Sequence, residues 1–155
     1  MSVSPVPVGY HTVTPYLIVD GAKEAIAFYQ SAFGATEKLR LEMGDKLGHA
    51  EIQIGDSVVM LADEQPEMGI VAPTKTNALC AHIMLYVADV DTVFEKAIAA
   101  GATVERPLQD QFYGDRTATI ADPFGHKWTI GTHVEDVSQE EVERRFAEMM
   151  KKNSQ

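Results

Sequence analysis

Cysteine is almost absent from this sequence. Cys80 stands alone among 155 residues, so no intramolecular disulfide can staple the fold. Lysine and arginine together number 13 against 23 aspartates and glutamates, a formal charge of -10. That balance opposes nucleic acid and anionic membranes as partners, because both are bound through cations that displace counterions. Long apolar runs are missing too, and none has the length to span a bilayer or to form the core of a secretion signal. Together these deficits lead us to expect a reduced, soluble, cytoplasmic protein that partners neither nucleic acid nor membrane. What is present is a 45% hydrophobic fraction in a chain long enough to bury one compact core.

Residues 1–10, MSVSPVPVGY, carry two prolines and no periodicity, and are expected to form an irregular arm. HTVTPYLIVD reads as a strand with Pro15 at an edge or near its start, since proline cannot donate to a ladder. In DGAKEAIAFYQSAFGA, residues Ala22, Ala25, Ile26, Tyr29 and Phe33 recur every three or four positions, a helical stripe that Asp20 can cap at its start and Gly34 at its end. ATEKLRLEM, GHAEIQI and DSVVMLAD then read as a meander of three strands. Residues 64–77, with two prolines, read as a linker.

After it the order repeats: AHIMLYVAD as a strand, DVDTVFEKAIAAGA as a helix, and TVERPLQ, DRTATIAD and HKWTIGTH as three strands. Gly34-Ala35-Thr36 lies over Gly101-Ala102-Thr103 at an offset of 67, and the same offset sets HAEIQI over RTATIA. Three residues, Asp122 to Phe124, are inserted in the second hairpin, which brings Gly55 over Gly125. The expected fold is α+β: tandem βαβββ modules at 11–63 and 78–134 forming a cupped mixed sheet with helices on the convex face, plus a C-terminal helix within 135–155. In that helix Ser138 and Glu141 have capping-box spacing, and Val142, Phe146, Met149 and Met150 form an apolar stripe. The stripe needs cover, from its own domain or across a two-fold axis, and a homodimer is expected.

The helix ending FYQSAFGA, the run HAEIQIGDSVVMLADE and the closing run GDRTATIADPFGHKWTIGTHVED occur in order on the two modules. They resemble the vicinal oxygen chelate superfamily of glyoxalase I, bleomycin-resistance proteins and extradiol dioxygenases, and most of all its PhnB-like branch. The likeness covers roughly residues 11–137 as one glyoxalase-like domain. It implies a ligand held in the concave cavity and, in metal-dependent members, metal ligands on the first and last strand of each module. Matched to this sequence those positions are Thr14, Val59, His82 and Thr129, of which only His82 is a competent ligand, so no metal cofactor is expected. The resemblance then implies a protein that encloses a small organic molecule, with the two modules completing the cup within one chain or by exchange between chains. The alternative it implies is a glyoxalase- or dioxygenase-like metalloenzyme whose displaced set, His49, Glu51 and His82, holds zinc, iron, nickel or manganese.

Strand alternation supplies the remaining candidates. His49 and Glu51, one residue apart, project from one face and either line the cup or simply wet the outer side of HAEIQI. Arg116 lies over His49 in the repeat; it is either the partner of an anionic ligand group through its fork of donors or half of an ion pair with Asp110 or Asp115. Tyr16 and Tyr86 share parity with Thr14 and His82, which directs both rings inward. Thr129 alternates with Trp128 and Ile130, which should pack on the helices. His126, in the turn of DPFGH, is expected as a hairpin residue near Asp122 or in solvent, and Cys80 as a buried or edge thiol. The candidate ligand-binding set is Tyr16, His49, Glu51, His82, Tyr86, Arg116 and Thr129.

Overall fold

Two copies of the same unit build the molecule. The computed structural model describes residues 3–73 and 81–154; Cys80 and the end of the expected linker lie outside them. The first unit runs β1 (Tyr16–Val19), α1 (Ala22–Phe33), β2 (Thr36–Met43), β3 (Lys46–Ile54) and β4 (Ser57–Asp63). The second runs β5 (Ile83–Tyr86), α2 (Val90–Ala99), β6 (Thr103–Asp110), β7 (Asp115–Ala121) and β8 (Lys127–His133), and α3 (Gln139–Asn153) follows. Each unit forms a four-stranded mixed sheet, ordered β1-β4-β3-β2 and β5-β8-β7-β6. The helical crossover makes β1 parallel to β4 and β5 parallel to β8, while the hairpin-linked strands run antiparallel.

Alternation sorts the strand residues onto two faces. Leu17, Val19, Ala50, Ile52, Val59 and Leu61 join the buried core beneath α1, and Ile120, Trp128 and Ile130 do so in the second unit. The two units share this core: Tyr29 and Phe33 of α1 lie 5.4 and 4.7 Å, centroid to centroid, from Trp128 of β8. Beside them the Asp122 carboxylate accepts from the Tyr29 hydroxyl at 2.6 Å and from Trp128 Nε1 at 2.9 Å. Burial and this carboxylate hold the Tyr29 phenol well above its ordinary pKa. Pro15 directly precedes β1, an edge strand, and Pro107 sits in the edge strand β6 where its register shifts, the positions at which a missing N–H is tolerated.

Two local expectations are corrected. Asp20 does not cap α1. The N-cap is Gly21, in the left-handed region at φ 103°, and Asp63 at the end of β4 accepts from the Gly21 and Ala22 amides, both at 2.9 Å. The repeat offset of 67 holds at the helix ends but not on β7. Thr36 pairs with Gln53 and Thr103 with Ala121, so β3 and β7 correspond at 68, the first hairpin turn being shorter than the second. One residue of slip flips a strand's faces, and Arg116 therefore corresponds to Gly48 rather than His49.

Beyond β8 the chain folds back over the Gly114 turn, with the Val134 and Glu135 amides donating to the Gly114 carbonyl at 2.9 and 3.0 Å. A side chain at Gly114, whose φ is +100°, would collide with the Glu135 carbonyl oxygen. Ser138 caps α3 by accepting from the Glu141 amide at 3.2 Å, as the capping-box spacing requires. Among the described residues no helix is long and apolar enough to cross a membrane.

Candidate functional site

The faces of the two sheets turned away from α1 and α2 carry the polar chemistry. Hydrogen-bonded neighbours place Leu39, Glu51, Met60 and Tyr16 in one row across the first sheet. The corresponding row of the second sheet is Arg106, Thr119, Thr129 and Met84.

On the first face Glu51 is buried, and the Tyr10 hydroxyl donates to its two oxygens at 2.5 and 2.9 Å. His49 Nε2 lies 3.8 Å from Glu51, and its Nδ1 is 2.8 Å from the Tyr16 hydroxyl. A phenol donating to Nδ1 leaves the imidazole proton on Nε2, facing the carboxylate. The bond to Glu51 raises the Tyr10 pKa, with burial and the carboxylate's field adding to it, while for Tyr16 burial leads and the field of Glu51 follows. Both phenols thus act as donors. A cleft of about 460 Å³ lies between this face and the arm, bounded by Pro5, Pro7, Tyr10, Met60 and Glu51.

On the second face Asp115 is buried and receives the Tyr86 hydroxyl at 2.7 Å and His133 Nδ1 at 2.8 Å. His133 Nε2 meets Asp136 at 2.7 Å. With a carboxylate at each nitrogen, Asp115 first and Asp136 second, the imidazole pKa is raised. Thr119 and Thr129 hydroxyls lie 2.9 Å apart, and Gln111 donates to Thr117 at 3.0 Å. A cleft of about 420 Å³ is lined by Arg106, Gln109, Thr119, Thr129, Tyr113 and, from α3, Met149. A third cleft, about 670 Å³ and mainly apolar, opens where β5 approaches the β3–β4 turn, between Ile54, Val58, Ile83, Leu85 and Trp128.

Tyr16, His49 and Glu51 are therefore brought together on one face, and Tyr86 and Thr129 share the other. His82, just before β5, is exposed. For Arg116 the ion pair with Asp110 is present and the place in the binding set is corrected: paired with Thr132, it turns to the helix side, where it grips Asp91 of α2 through Nε and Nη2, each at 3.0 Å, and Asp110 at 3.2 Å. Its fork is occupied by the protein's own carboxylates, and it holds the Asp91 pKa down. Val59 is also corrected, since it packs in the core and Met60 takes the position on β4 that matches Thr129. His126 is a hairpin residue. Its ring meets the Ile18 carbonyl at 3.0 Å, which can only accept, so Nε2 carries the proton and His126 fastens the second unit to the free edge of β1. Sequence reading missed Tyr10, hidden in an aperiodic arm, and Arg106, whose alternation is blurred by two register shifts in β6.

Residues 10–130 match the family model described as Glyoxalase/Bleomycin resistance protein/Dioxygenase superfamily. The chain belongs to that superfamily. An uncharacterized protein of Mycobacterium bovis is 43% identical over 135 residues, covering 84% of this chain and 89% of the relative. TioX from Micromonospora sp. ML1 matches at a TM-score of 0.63 and 27% identity, covering 80% of this chain and 99% of TioX. A PhnB protein from Bacillus cereus, described as a putative 3-demethylubiquinone-9 3-methyltransferase, shares the fold at a TM-score of 0.62 and 19% identity, covering 79% and 99% of the two chains. At the positions that the resemblance assigns to metal donors, with Met60 in place of Val59, stand Thr14, Met60, His82 and Thr129, which offer one imidazole. The displaced set fails as well: among the described residues no three His, Cys, Asp or Glu side chains stand close enough to hold one ion, so His82 does not join His49 and Glu51. The residues present do not fit the metal of the metalloenzyme members.

Proposed function

We propose that this superfamily member binds a small organic molecule against the open faces of its modules, without a resident metal. The observation that carries the reading is Glu51: a carboxylate buried on the side of the sheet opposite the core, beside a cleft of about 460 Å³ and flanked by His49 and Tyr16. Clefts of this size with a few convergent polar groups are the usual form of a small-molecule site. Thr129, Thr119 and Arg106 are the matching polar groups of the second face, and among the described residues Arg106 makes no salt bridge that would occupy it. The reading includes a homodimer, since Phe146, Met149 and Met150 of α3 remain 37 to 51% exposed. Sedimentation equilibrium at micromolar concentration is expected to show two chains, and a monomer alone would remove the dimer from the reading.

Metal analysis tests the first half of the proposal. Protein purified without chelators is expected to hold well under one equivalent of divalent metal and to keep its fold in chelator. About one zinc, iron, nickel or manganese per chain would overturn this. A thermal-shift screen of small organic molecules tests the second half: hits should lose their effect in Glu51→Gln, and hits indifferent to that change would place the ligand elsewhere.

A further inference from the structure

Glu51 is served from outside its own sheet. A buried carboxylate needs donors, and among the described residues the one at hydrogen-bonding distance is the Tyr10 hydroxyl, at 2.5 and 2.9 Å from its two oxygens, with His49 standing off at 3.8 Å. Tyr10 belongs to the arm, and the arm is lightly attached. It forms no helix or strand from Val3 to Pro15, and Val3 and Val8 are 90% and 97% exposed. Beyond the phenol, its polar side-chain ties to the body among the described residues are the Lys38 ammonium, 4.7 Å from the centre of the Tyr10 ring, and the His11 ring, 3.1 Å from the Asp56 carbonyl and 4.0 Å from its carboxylate. The arm also leaves room beneath itself, in the cleft bounded by Pro5, Pro7, Met60 and Glu51.

We propose that the Tyr10 side chain is a tethered surrogate for the ligand of this face. The ligand it stands in for is a phenol, or another aromatic bearing a neutral hydroxyl, which displaces the arm and donates to Glu51 in its place. The inference rests on the open face being the ligand surface and adds the chemistry of the occupant. The aromatic body follows from the walls: Tyr16 and His49 form a tilted ring pair with centroids 5.4 Å apart beside Glu51, and Leu39 and Leu41 are 40% and 51% exposed in the adjoining strand. Neutrality follows from the charges. An anion would be set against Glu51 in a chain of formal charge -10. An ammonium would meet the Lys38 cation that already lies over the Tyr10 ring. Exchange of one phenol for another keeps the hydrogen bond to Glu51, so the outcome is set by free ligand concentration against the effective concentration of the tethered arm, which for short flexible tethers is millimolar.

The test uses p-cresol, toluene and benzoate as probes on wild type, Tyr10→Ser and Tyr10→Phe, read by NMR titration and by hydrogen exchange of residues 3–12. In wild type p-cresol is expected to speed exchange in the arm. Both variants are expected to bind p-cresol more tightly than wild type, Tyr10→Ser by about tenfold or more. Adding Glu51→Gln to Tyr10→Ser should abolish the preference for p-cresol over toluene. Benzoate binding more tightly than p-cresol overturns the assigned class. Equal p-cresol affinity in wild type and both variants, with arm exchange unchanged, overturns the surrogate while leaving the open face as a binding surface. Silence of all three probes at every open-face residue in all three proteins sinks both readings together.

Discussion

The hairpins that close the two modules do opposite things. The β7–β8 hairpin is longer by one residue, not by the three expected, since Gln53 pairs with Val58 and Ala121 with Lys127, and it seals the junction between modules. Asp122 takes four donors: the Tyr29 hydroxyl, the Trp128 indole, and the Phe124 and His126 amides, the last two at 2.9 Å each. Phe124 packs edge-on to Phe28 with ring centroids 6.2 Å apart, and His126 reaches the free edge of β1. The β3–β4 hairpin turns on Gly55 and Asp56 alone. It has nothing to place against β5, and there the cleft of about 670 Å³ remains. A repeat thus fixes the scaffold twice over, while a one-residue difference between the hairpins, and the side chains they carry, decide which junction is shut and which is left open.

Removing the seal should have the largest effect. Asp122→Ala leaves two buried side-chain donors and two turn amides unpaired, and each orphaned buried donor costs about 1–3 kcal/mol. With the amides partly rescued by solvent, the expected loss of unfolding free energy is about 3–5 kcal/mol. Asp56→Ala, in the exposed counterpart turn, should stay within about 0.5 kcal/mol. Urea unfolding of the two variants measures the contrast, and comparable losses would mean that the hairpins do not differ as described.

A second contrast lies at the last strands. Asp63 of β4 and Thr132 of β8 hold the same place in their modules, and each serves the N-terminus of its module's helix. Asp63 accepts from the Gly21, Ala22 and Leu47 amides at 2.8–2.9 Å. Thr132 accepts from the Val90 amide at 2.8 Å and donates to the Val87 carbonyl at 2.9 Å. A charged acceptor with three donors outweighs a hydroxyl with one. Asp63→Ala is expected to cost about 2–4 kcal/mol and Thr132→Val about 1–2 kcal/mol, by the usual worth of caps and of bonds to charged groups. The reverse order in denaturant unfolding would refute the comparison.

How much of this was legible in the sequence follows from what carries each feature. The βαβββ order showed because apolar periodicity and turn glycines are local signals, and α1 and α2 fall where those signals put them. Asp63 as the cap of α1 was invisible, since the nearby Asp20 has the right chemistry and only the parallel pairing of β1 with β4 brings Asp63 to Gly21. The face of Arg116 was misread because an alignment correct at Gly101 had slipped by one residue before β7, and a strand converts that small error into the opposite side of the sheet. Tyr16, Glu51 and Thr129 escaped this because their own strands kept parity with buried neighbours. Tyr10 had no periodic neighbour from which parity could be taken.

A pH contrast separates the two buried carboxylates. Glu51 receives the Tyr10 phenol and stands 3.8 Å from His49, whereas Asp115 is bound directly by His133, whose other nitrogen meets Asp136. The folded-state pKa of His133 is raised above its ordinary 6.5. Protonation is therefore favoured by folding, and the stability it contributes is complete below about pH 6.5 and lost as pH rises through the raised value. Urea midpoints should fall on passing from about pH 6 to 9, and His133→Asn should flatten that part of the profile. A wild-type profile with no fall, or one that survives the substitution, would show that the imidazole does not link Asp115 to Asp136 in solution.

The smallest effect is expected at Arg116, and it sharpens the comparison of faces. Arg106 stands in the open-face row with Thr119 and Thr129, while Arg116 on the neighbouring strand is turned to α2 and held by Asp91 and Asp110. All three of its guanidinium nitrogens are engaged by these carboxylates, so it offers no free fork to a ligand on the opposite side of the sheet. For a ligand found by thermal-shift screening, Arg116→Ala should leave affinity unchanged to within about twofold, since removing a bond to a charged group in the site would cost about tenfold or more. Calorimetry on wild type and Arg116→Ala decides it. A tenfold loss, with the melting temperature preserved, would put Arg116 in the binding surface and reverse the face assigned to it.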